Sequence, residues 1–551
     1  MRIKDLLLCV ALYAVNCPGQ VTTATFYGIV TDSSGARITG SVVSFLHEGT
    51  GAITKKAADA SGEFAFDFLR VGTYTIRIEA AGFKTHASTE TELAAGQTVR
   101  RTYELKVGAV GETVTVVERA PLVNAVNAEQ HESMNSEQVA GLPLARRNFT
   151  NLLSLGTGVT VSNSGGGPGH GNRDGGVRLN GLGRSGTTFT VDGTDANANS
   201  EGRAGALFTN FNYIDMISIE AIQEVQVIKG IIPAEYSSAL AGNVNLISKS
   251  GTNTLHGSLF ENFQSRSLNA RNQFLASKAP LTYNQFGGSA GGAAVRDRIF
   301  FFGAYEAYRE VSSPPVSGNS PTPKFRDEMI RANPAFKQSL DTIPLPNQPY
   351  AATADIGFYQ DSRTARSHDN HIVTKGDFRL SNSSNLALTW THGRPYRIEP
   401  MYYIGNDTEF HGFQDRGTAS FVTGRAAWTS ETRFGYNLQD LETFDGFLGQ
   451  KAPGVEKNQF GLRIPALSSS LGFTTASSQI WSQYGPSWTM DQKYSRTVGK
   501  HSLKFGGDFI HRTGGRVKVA NPTISYIGKP DLLADIPSTI NVTFGRSEER
   551  R

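Results

Sequence analysis

The stretch Ser218–Asn253, SIEAIQEVQVIKGIIPAEYSSALAGNVNLISKSGTN, decides how this chain reads. It opens like the start of a helix and passes into an alternating strand. A small-residue turn follows, then a second strand that stops at Lys249-Ser250-Gly251-Thr252-Asn253. Period-2 alternation bounded by glycine and Ser/Asn clusters is the pattern of strands that bury one face. No nucleophile, base or ligand cluster accompanies it, so the stretch reads as architecture.

Working outward, 551 residues exceed one ordinary domain and predict two to four units. The 59 glycines and 10% aromatics, without long apolar runs, suit many short strands and turns. Net charge is +4 with both signs interspersed, which gives no electrostatic footprint for nucleic acid. Residues 1–20 read as a secretory signal: Arg2 and Lys4 supply a positive start, Leu6 to Val15 an apolar run, and Pro18-Gly19 a break. A lipoprotein reading with Cys17 modified is the alternative. Cys9 and Cys17, the two cysteines, both fall inside this segment, so disulfides, thiol catalysis and Cys-ligated zinc drop out of the exported chain. No later window reaches 18 apolar residues, so membrane insertion requires a closed barrel.

Residues 22–108 read as an all-β sandwich. Phe64, Phe66 and Phe68 alternate, as do Tyr74, Ile76, Ile78 and Ala80, with Arg70-Val71-Gly72 joining the two strands. GIVTD and DASGEFAFDFLRVGTYTIRIEAAGF resemble the carboxypeptidase-regulatory-like domain, a transthyretin-like sandwich. The peptidase itself is missing from the pattern: none of the 11 histidines has Glu three positions later, and no His-Glu-x-x-His occurs.

Residues 109–126 form a linker. Within it Glu112, Thr113, Val114, Thr115 and Val116 resemble the TonB box of outer-membrane transporters, a strand that adds to the edge of a partner's sheet. A plain linker strand is the competing reading. Residues 127–252 change texture: NSEQVAGLP and RRNFTNLLSLGTGV predict short helices, then glycine-rich SNSGGGPGHGNRDGG, strands VRLNG and TTFTVDGTDAN, and the opening stretch. This order resembles the plug domain of TonB-dependent transporters, most closely the Oar-like subgroup. The resemblance marks Asp192, Gly193, Glu224, Gly242, Asn243, Asn245 and Lys249 as plug signature residues.

Residues 253–551 alternate in segments of about ten residues, as strands do when one face meets lipid and the other a lumen. LHGSLFENFQSR, IFFFGAYEAYRE, HIVTKGDFRL, SNLALTWTHG, GTASFVTGRAAW, SETRFGYNLQD, PSWTMDQKYSR and HSLKFGGDFIHR are the clearest, and SSPPVSGNSPTPKFRDEMIRANPAFKQSLDTIPLPNQPYAATADIG reads as a long proline-rich loop. A plugged transporter needs about 22 strands. The 300 residues after Gly251 supply fewer, so they read as the N-terminal part of a transmembrane barrel.

Other motifs carry less. GLGRSG, Gly181 to Gly186, fits a dinucleotide loop in letters, but TTFTVDG follows as strand rather than helix, which favours a hairpin turn. DGTDANANSE stacks oxygens on Asp192, Asp195, Asn197, Asn199 and Glu201, yet an EF-hand register fails at Ser200 and Ala206. His368 and His371 lie on a polar, arginine-rich segment that reads as a solvated loop edge rather than a metal site.

The expected fold class is therefore mainly β: a transthyretin-like β-sandwich, an α+β plug domain, then an antiparallel, incomplete transmembrane β-barrel. By resemblance, the expected function is energised uptake of a bulky ligand across the outer membrane. The implied partners are the TonB energising complex, outer-membrane lipid and a bulky ligand of unknown identity, carbohydrate and peptide being the candidate classes, with no nucleic acid, metal, cofactor or catalytic residue. The alternative is a periplasmic or surface binding or adhesion protein that uses its sandwich for carbohydrate or protein contacts.

Overall fold

The computed structural model describes residues 22–108, 112–117, 129–142, 147, 149–162, 176–182, 186–197, 217–230, 232, 240–271, 277–425, 428–445, 465–476, 479–498 and 501–542. The expected signal segment and both cysteines lie outside these.

The sandwich has two sheets. One places Ala24–Asp32 between Glu63–Leu69 (antiparallel) and Thr98–Leu105 (parallel). The other runs in the order Ala52–Ala57, Val42–His47, Gly72–Glu79, Thr85–Leu93, Thr113–Val117. Between them Phe26 meets Phe45 edge-on at 5.0 Å, and Phe45 meets Phe66 at 4.4 Å. Gly28 is required because the Phe64 ring covers it: a Cβ there would lie 1.9 Å from that ring. The expected Phe64/Phe66/Phe68 alternation breaks at Phe68, whose φ of 56° turns its side chain aside and lets Leu69 into the core. Arg70-Val71-Gly72 therefore crosses between sheets rather than closing a hairpin.

The plug is a five-stranded sheet in the order Thr194–Asp195, Thr187–Val191, Gly242–Ser248, Ile222–Gly230, Glu129–Asn135. Only the Thr187–Val191 and Gly242–Ser248 pair is parallel. Its apolar face gathers Leu152, Leu179, Phe189, Val225, Val244 and Leu246. The first expected helix is present as Ser136–Gly141, held by a capping box between Asn135 and Gln138. The helix expected at the head of the opening stretch is a single 3-10 turn, Ile219–Ala221. Ladder pairing from Ile222 onward takes over before an α-helix can begin. GLGRSG is also not a hairpin turn. The strands flanking it, Gly176–Leu179 and Thr187–Val191, belong to different sheets, and residues 183–185 lie outside the described set.

The third unit is an antiparallel meander in the order His256–Ser265, Leu281–Val295, Ile299–Ser312, Ala365–Ser381, Ser384–Gly393, Thr408–Gly424, Trp428–Asp445, Gln479–Val498, His501–Arg512. Tyr396–Glu399 and Gly515–Ala520 pair beside this path. Sequence reading missed Leu281–Val295, because FGGSAGGAAV puts few large side chains on either face. Along Ile299–Ser312 the faces separate cleanly from Phe300 to Glu306. Phe300, Phe302, Ala304 and Glu306 are buried, while Phe301 and Tyr305 are 42% and 40% exposed. Across the sheet the outward positions carry Leu388, Trp390, Phe434, Trp488 and Phe505, and the inward ones Asp377, Arg416, Glu431, Arg433 and Asp491. Among the described residues the first and last strands of the path are not paired with each other.

The proline-rich segment is not a loop. It folds as a cap: hairpin Pro315–Pro321 with Ile356–Ser362, helices Pro323–Ala332 and Phe336–Leu340, and, from further connections, strands Ala466–Ser469 and Thr523–Tyr526 with helix Lys529–Leu533. Its core joins Phe325, Met329, Leu340, Leu467, Phe473 and Tyr526. The apolar positions come from segments far apart in the chain, so no single window showed them. Arg326 fastens it from inside by donating to the carbonyls of Pro321, Leu340, Ile343 and Pro344.

Short turns such as 296–298 and 382–383 lie at one end of the meander, and the cap connections at the other. In outer-membrane sheets short turns face the periplasm. The sandwich docks at that end, where Asn253 donates its backbone N–H to the Gly49 carbonyl at 2.9 Å. Phe434→Arg is predicted to lower folding stability in a bilayer by about 2–4 kcal/mol, although Arg433 beside it is fully buried on the inner face. Urea unfolding in lipid vesicles, followed by heat-modifiable mobility, measures the loss; an unchanged midpoint would contradict lipid contact on this face.

Candidate functional site at the junction of plug, wall and sandwich

The plug meets the inner wall through a two-residue turn. Asp192 (φ 49°) and Gly193 (φ 75°) link Val191 to Thr194, the left-handed pair that an Asp-Gly hairpin turn requires. At Gly193 a Cβ would also fall 2.4 Å from Arg433 Nη1, so a side chain is excluded twice over. The Asp192 carboxylate accepts from Ser248 N (2.9 Å), Ser248 Oγ (2.6 Å) and Thr389 Oγ1 (2.9 Å), and Lys375 Nζ stands 3.9 Å away. Burial pushes this carboxyl up, but Lys375 and the hydrogen bonds outweigh it and hold it below the ordinary carboxylate value.

Next to it runs a polar ladder. Asn245 accepts from Thr190 Oγ1 (2.9 Å) and Gly193 N (3.3 Å) and donates to Gln226 Oε1 (2.9 Å); Asn243 donates to Thr188 Oγ1 (3.0 Å). Gly242 keeps this strand close, since a Cβ would lie 2.3 Å from Leu179 Cδ1 and 2.4 Å from the Ile228 carbonyl oxygen. Lys249 sits apart from the Asp192 network. Its backbone N–H bonds Ala221 O at 2.8 Å, and burial pushes its ammonium down while Glu220 opposes.

Glu224 faces the sandwich. Its Oε1 accepts from Ser133 Oγ (2.5 Å) on the plug's edge strand, and its Oε2 from Ala95 N (3.1 Å) in the sandwich. Burial pushes its carboxyl up to about 7 against these two hydrogen bonds and one from Gln226, and the Glu92 charge adds to the rise. In the sandwich, burial likewise pushes His47 down to about 4, so its ring is neutral at pH 7.

Sequence reasoning missed the wall residues. Arg512 binds Asp195 through Nε (3.1 Å) and Nη2 (3.0 Å), Thr194 and Thr418 hydroxyls meet at 2.9 Å, and Asn437 donates to Asn197 O at 3.1 Å. Ser218 donates to Glu306, and Glu220 takes Arg147 and Ser258 Oγ. The sequence shows only that these are polar positions inside otherwise aromatic strands; which plug residue each meets is set by strand register. An apolar patch of Phe302, Ala304 and Val373 completes the seat. A cavity of about 350 Å³ opens where the three units meet, lined by Thr22, Arg70, Ser248, Lys375 and Asp377 among others.

The TonB-box-like residues are not a free linker. Thr113–Val117 pairs parallel with Thr85–Leu93, in register from Thr85↔Thr113 to Thr89↔Val117, and is the edge of the sandwich sheet. Glu112 adds a 2.5 Å ion pair to Lys84; Glu112, Thr113 and Thr115 are exposed. The other candidates are not brought together. Asp195 is taken by Arg512 and Asn197, while Asn199 and Glu201 lie outside the described residues. His368 and His371 are not on a loop edge: both lie in the strand Ala365–Ser381, where ladder pairing puts His368 against Tyr396 at 4.7 Å and buries His371 on the opposite face. Among the described residues no group of three acidic, His or Cys side chains is placed to hold a metal.

Family comparison returns three matches: an outer membrane beta barrel domain at residues 247–329 and 328–530, a TonB-dependent receptor plug domain at 127–244, and a carboxypeptidase regulatory-like domain at 25–106. The TonB-dependent transporter Oar of Myxococcus xanthus is 26% identical over 263 residues, which cover 45% of this chain. The match spans only 23% of that relative's length. Among solved structures, the outer membrane transporter YddB of Escherichia coli aligns at TM-score 0.46 and 12% identity, over 72% of this chain and 50% of that one. The siderophore receptor PiuA of Acinetobacter baumannii aligns at TM-score 0.35 and 10% identity, over 74% and 65%.

Two outcomes follow from the geometry. Asp192→Ala removes the counter-charge of Lys375, which keeps only its bonds to the Ser248 carbonyl and hydroxyl, and is predicted to destabilise the seated plug by about 1–3 kcal/mol, read as protease sensitivity of the plug in membranes. Glu224 binds its proton more tightly folded (about 7) than unfolded, where the ordinary value is 4.5. Its contribution is therefore fully present below pH 4.5 and lost as pH rises through 7. Glu224→Gln should flatten that part of the pH profile of plug unfolding; an unaltered slope contradicts the assignment.

Proposed function

We propose, from the premise that this chain belongs to the outer membrane beta barrel family, whose domain model matches just over half of it, that it takes up a bulky ligand by displacing its plug. The protein resides in the outer membrane, and its family is one of transporters and receptors. The observation that carries the uptake reading is the seat itself. Polar groups of the plug meet polar groups of the inner wall at Asp192, Thr194, Asp195 and Asn197.

Such contacts each contribute only about 0.5–1.5 kcal/mol net, or about 1.5–3 kcal/mol where a carboxylate or guanidinium takes part, because water can replace them. A plug held this way can move without exposing much apolar surface, apart from the patch at Phe302, Ala304 and Val373. The energising partner is the TonB complex, acting by strand addition at residues 112–116. That strand already pairs on one side, so a partner's strand meets its open edge or replaces its bonds to Thr85–Leu93. The ligand is a bulky molecule that reaches the plug from the cap end.

A photo-cross-linker at Thr115 in the full chain, inserted in outer membranes with TonB present, is expected to capture TonB. Proline at Thr113, whose N–H faces the open edge because Thr85 bonds the residues on either side of it, removes a donor for the partner strand while sparing the sandwich ladder, and is expected to abolish the capture. Inserted, heat-modifiable protein that never cross-links to TonB would sink the energised-uptake reading.

A further inference from the structure

Glu224 does something that a plug residue need not do: it holds the sandwich. Ala95, its backbone donor, belongs to the turn between Thr85–Leu93 and Thr98–Leu105, one strand in each sandwich sheet. That turn is itself pinned, with Ala94 N donating to Gln97 Oε1 at 3.0 Å and Gln97 N to Ala94 O at 3.2 Å. Ala95 and Glu224 are both buried, so the bond is shielded from competing water.

On the other side, Glu224 takes Ser133 from Glu129–Asn135, the outermost strand of the plug sheet, which pairs along one edge only. Among the described residues this is also the first plug strand after the box-like strand in the chain, so it is the first of these plug elements that tension on the chain reaches. The sandwich is also held at points away from Glu224, at the wall and at the plug's last residues where they enter the wall. Arg70 binds Asp377 at 2.9 Å and Ser250 at 3.0 Å, and Lys504 reaches Thr25 at 3.4 Å.

We propose that the sandwich is a latch on the plug: through Glu224, a positioning residue, its docking at the mouth keeps the edge strand Glu129–Asn135 in the sheet, and undocking it frees that strand first. The inference rests on the plug being the moving element, but its test reads the joint directly and needs neither ligand nor TonB. The joint can therefore fail while uptake stands, and the reverse.

The test is amide hydrogen exchange on the full chain in native outer-membrane vesicles, followed at residues 129–135. Glu224→Ala is expected to speed their exchange by at least ~10-fold, with Glu224→Gln intermediate. Arg70→Ala is the decisive variant, since Arg70 touches neither Glu224 nor this strand. It is expected to produce the same acceleration by loosening the dock. A cysteine pair at Gly49 and Thr252 restores the dock, because a Cβ on Gly49 lies 3.2 Å from Thr252 Cγ2. Oxidising that pair in the Arg70→Ala background is expected to return exchange to the wild-type rate, and reducing it to release it again. Wild-type exchange in Arg70→Ala, or acceleration that the disulfide leaves untouched, overturns the latch.

Discussion

The structure depends on one constraint: a sheet whose outer face lies in hydrocarbon must put its polar residues inward, and something polar must then fill the inside. In lipid, backbone groups are satisfied only by neighbouring strands, and exposed charge is costly. The meander obeys by alternating Phe301, Tyr305, Leu388 and Phe434 outward with Glu306, Thr389, Glu431 and Arg433 inward. Those inward groups need partners. The plug supplies several of them, which is why Asp192, Thr194, Asp195 and Asn197 cluster at one end of its sheet.

This arrangement separates two kinds of stability. The sandwich core is aromatic and dry, built on Phe26, Phe45 and Phe66, so it behaves as a rigid body. The plug has an apolar side of its own but meets the wall largely through hydrogen bonds and ion pairs, whose desolvation cost nearly cancels their attraction. The seat therefore specifies where the plug goes more than it binds it there. A rigid sandwich at the mouth, tied to wall and plug by Arg70 and Glu224, gives such a loosely seated element a defined resting position.

How far the sequence showed this depended on whether a feature was local. The Asp-Gly turn at 192–193, the paired strands around Val225 and Val244, and eight of the nine meander strands repeat with short periods, and so could be read directly. Leu281–Val295 escaped because glycine and alanine erase the difference between its faces. The cap escaped because Phe325, Leu467 and Tyr526 meet only after the strands between them have formed. The helix expected at Ser218 shrank to one turn because strand pairing claimed Ile222. Of the site, Asp192, Asn243 and Asn245 were marked by resemblance. Their wall partners Thr389, Thr418, Asn437 and Arg512 needed the register, which no motif encodes. The 112–116 strand was seen as a strand, but its parallel pairing with Thr85–Leu93 is a long-range contact without local signal.

The central claim, that the Asp192–Asn197 segment sits inside the wall, is tested most directly by joining the two. Thr194 and Thr418 touch through their hydroxyls at 2.9 Å, close enough for cysteines there to bridge. With Thr194→Cys and Thr418→Cys in the full chain in outer membranes, mild oxidation should give a near-complete intramolecular disulfide, mapped by mass spectrometry. If both cysteines stay free, or bridge only between molecules, in protein that has inserted, the plug does not occupy the lumen as described.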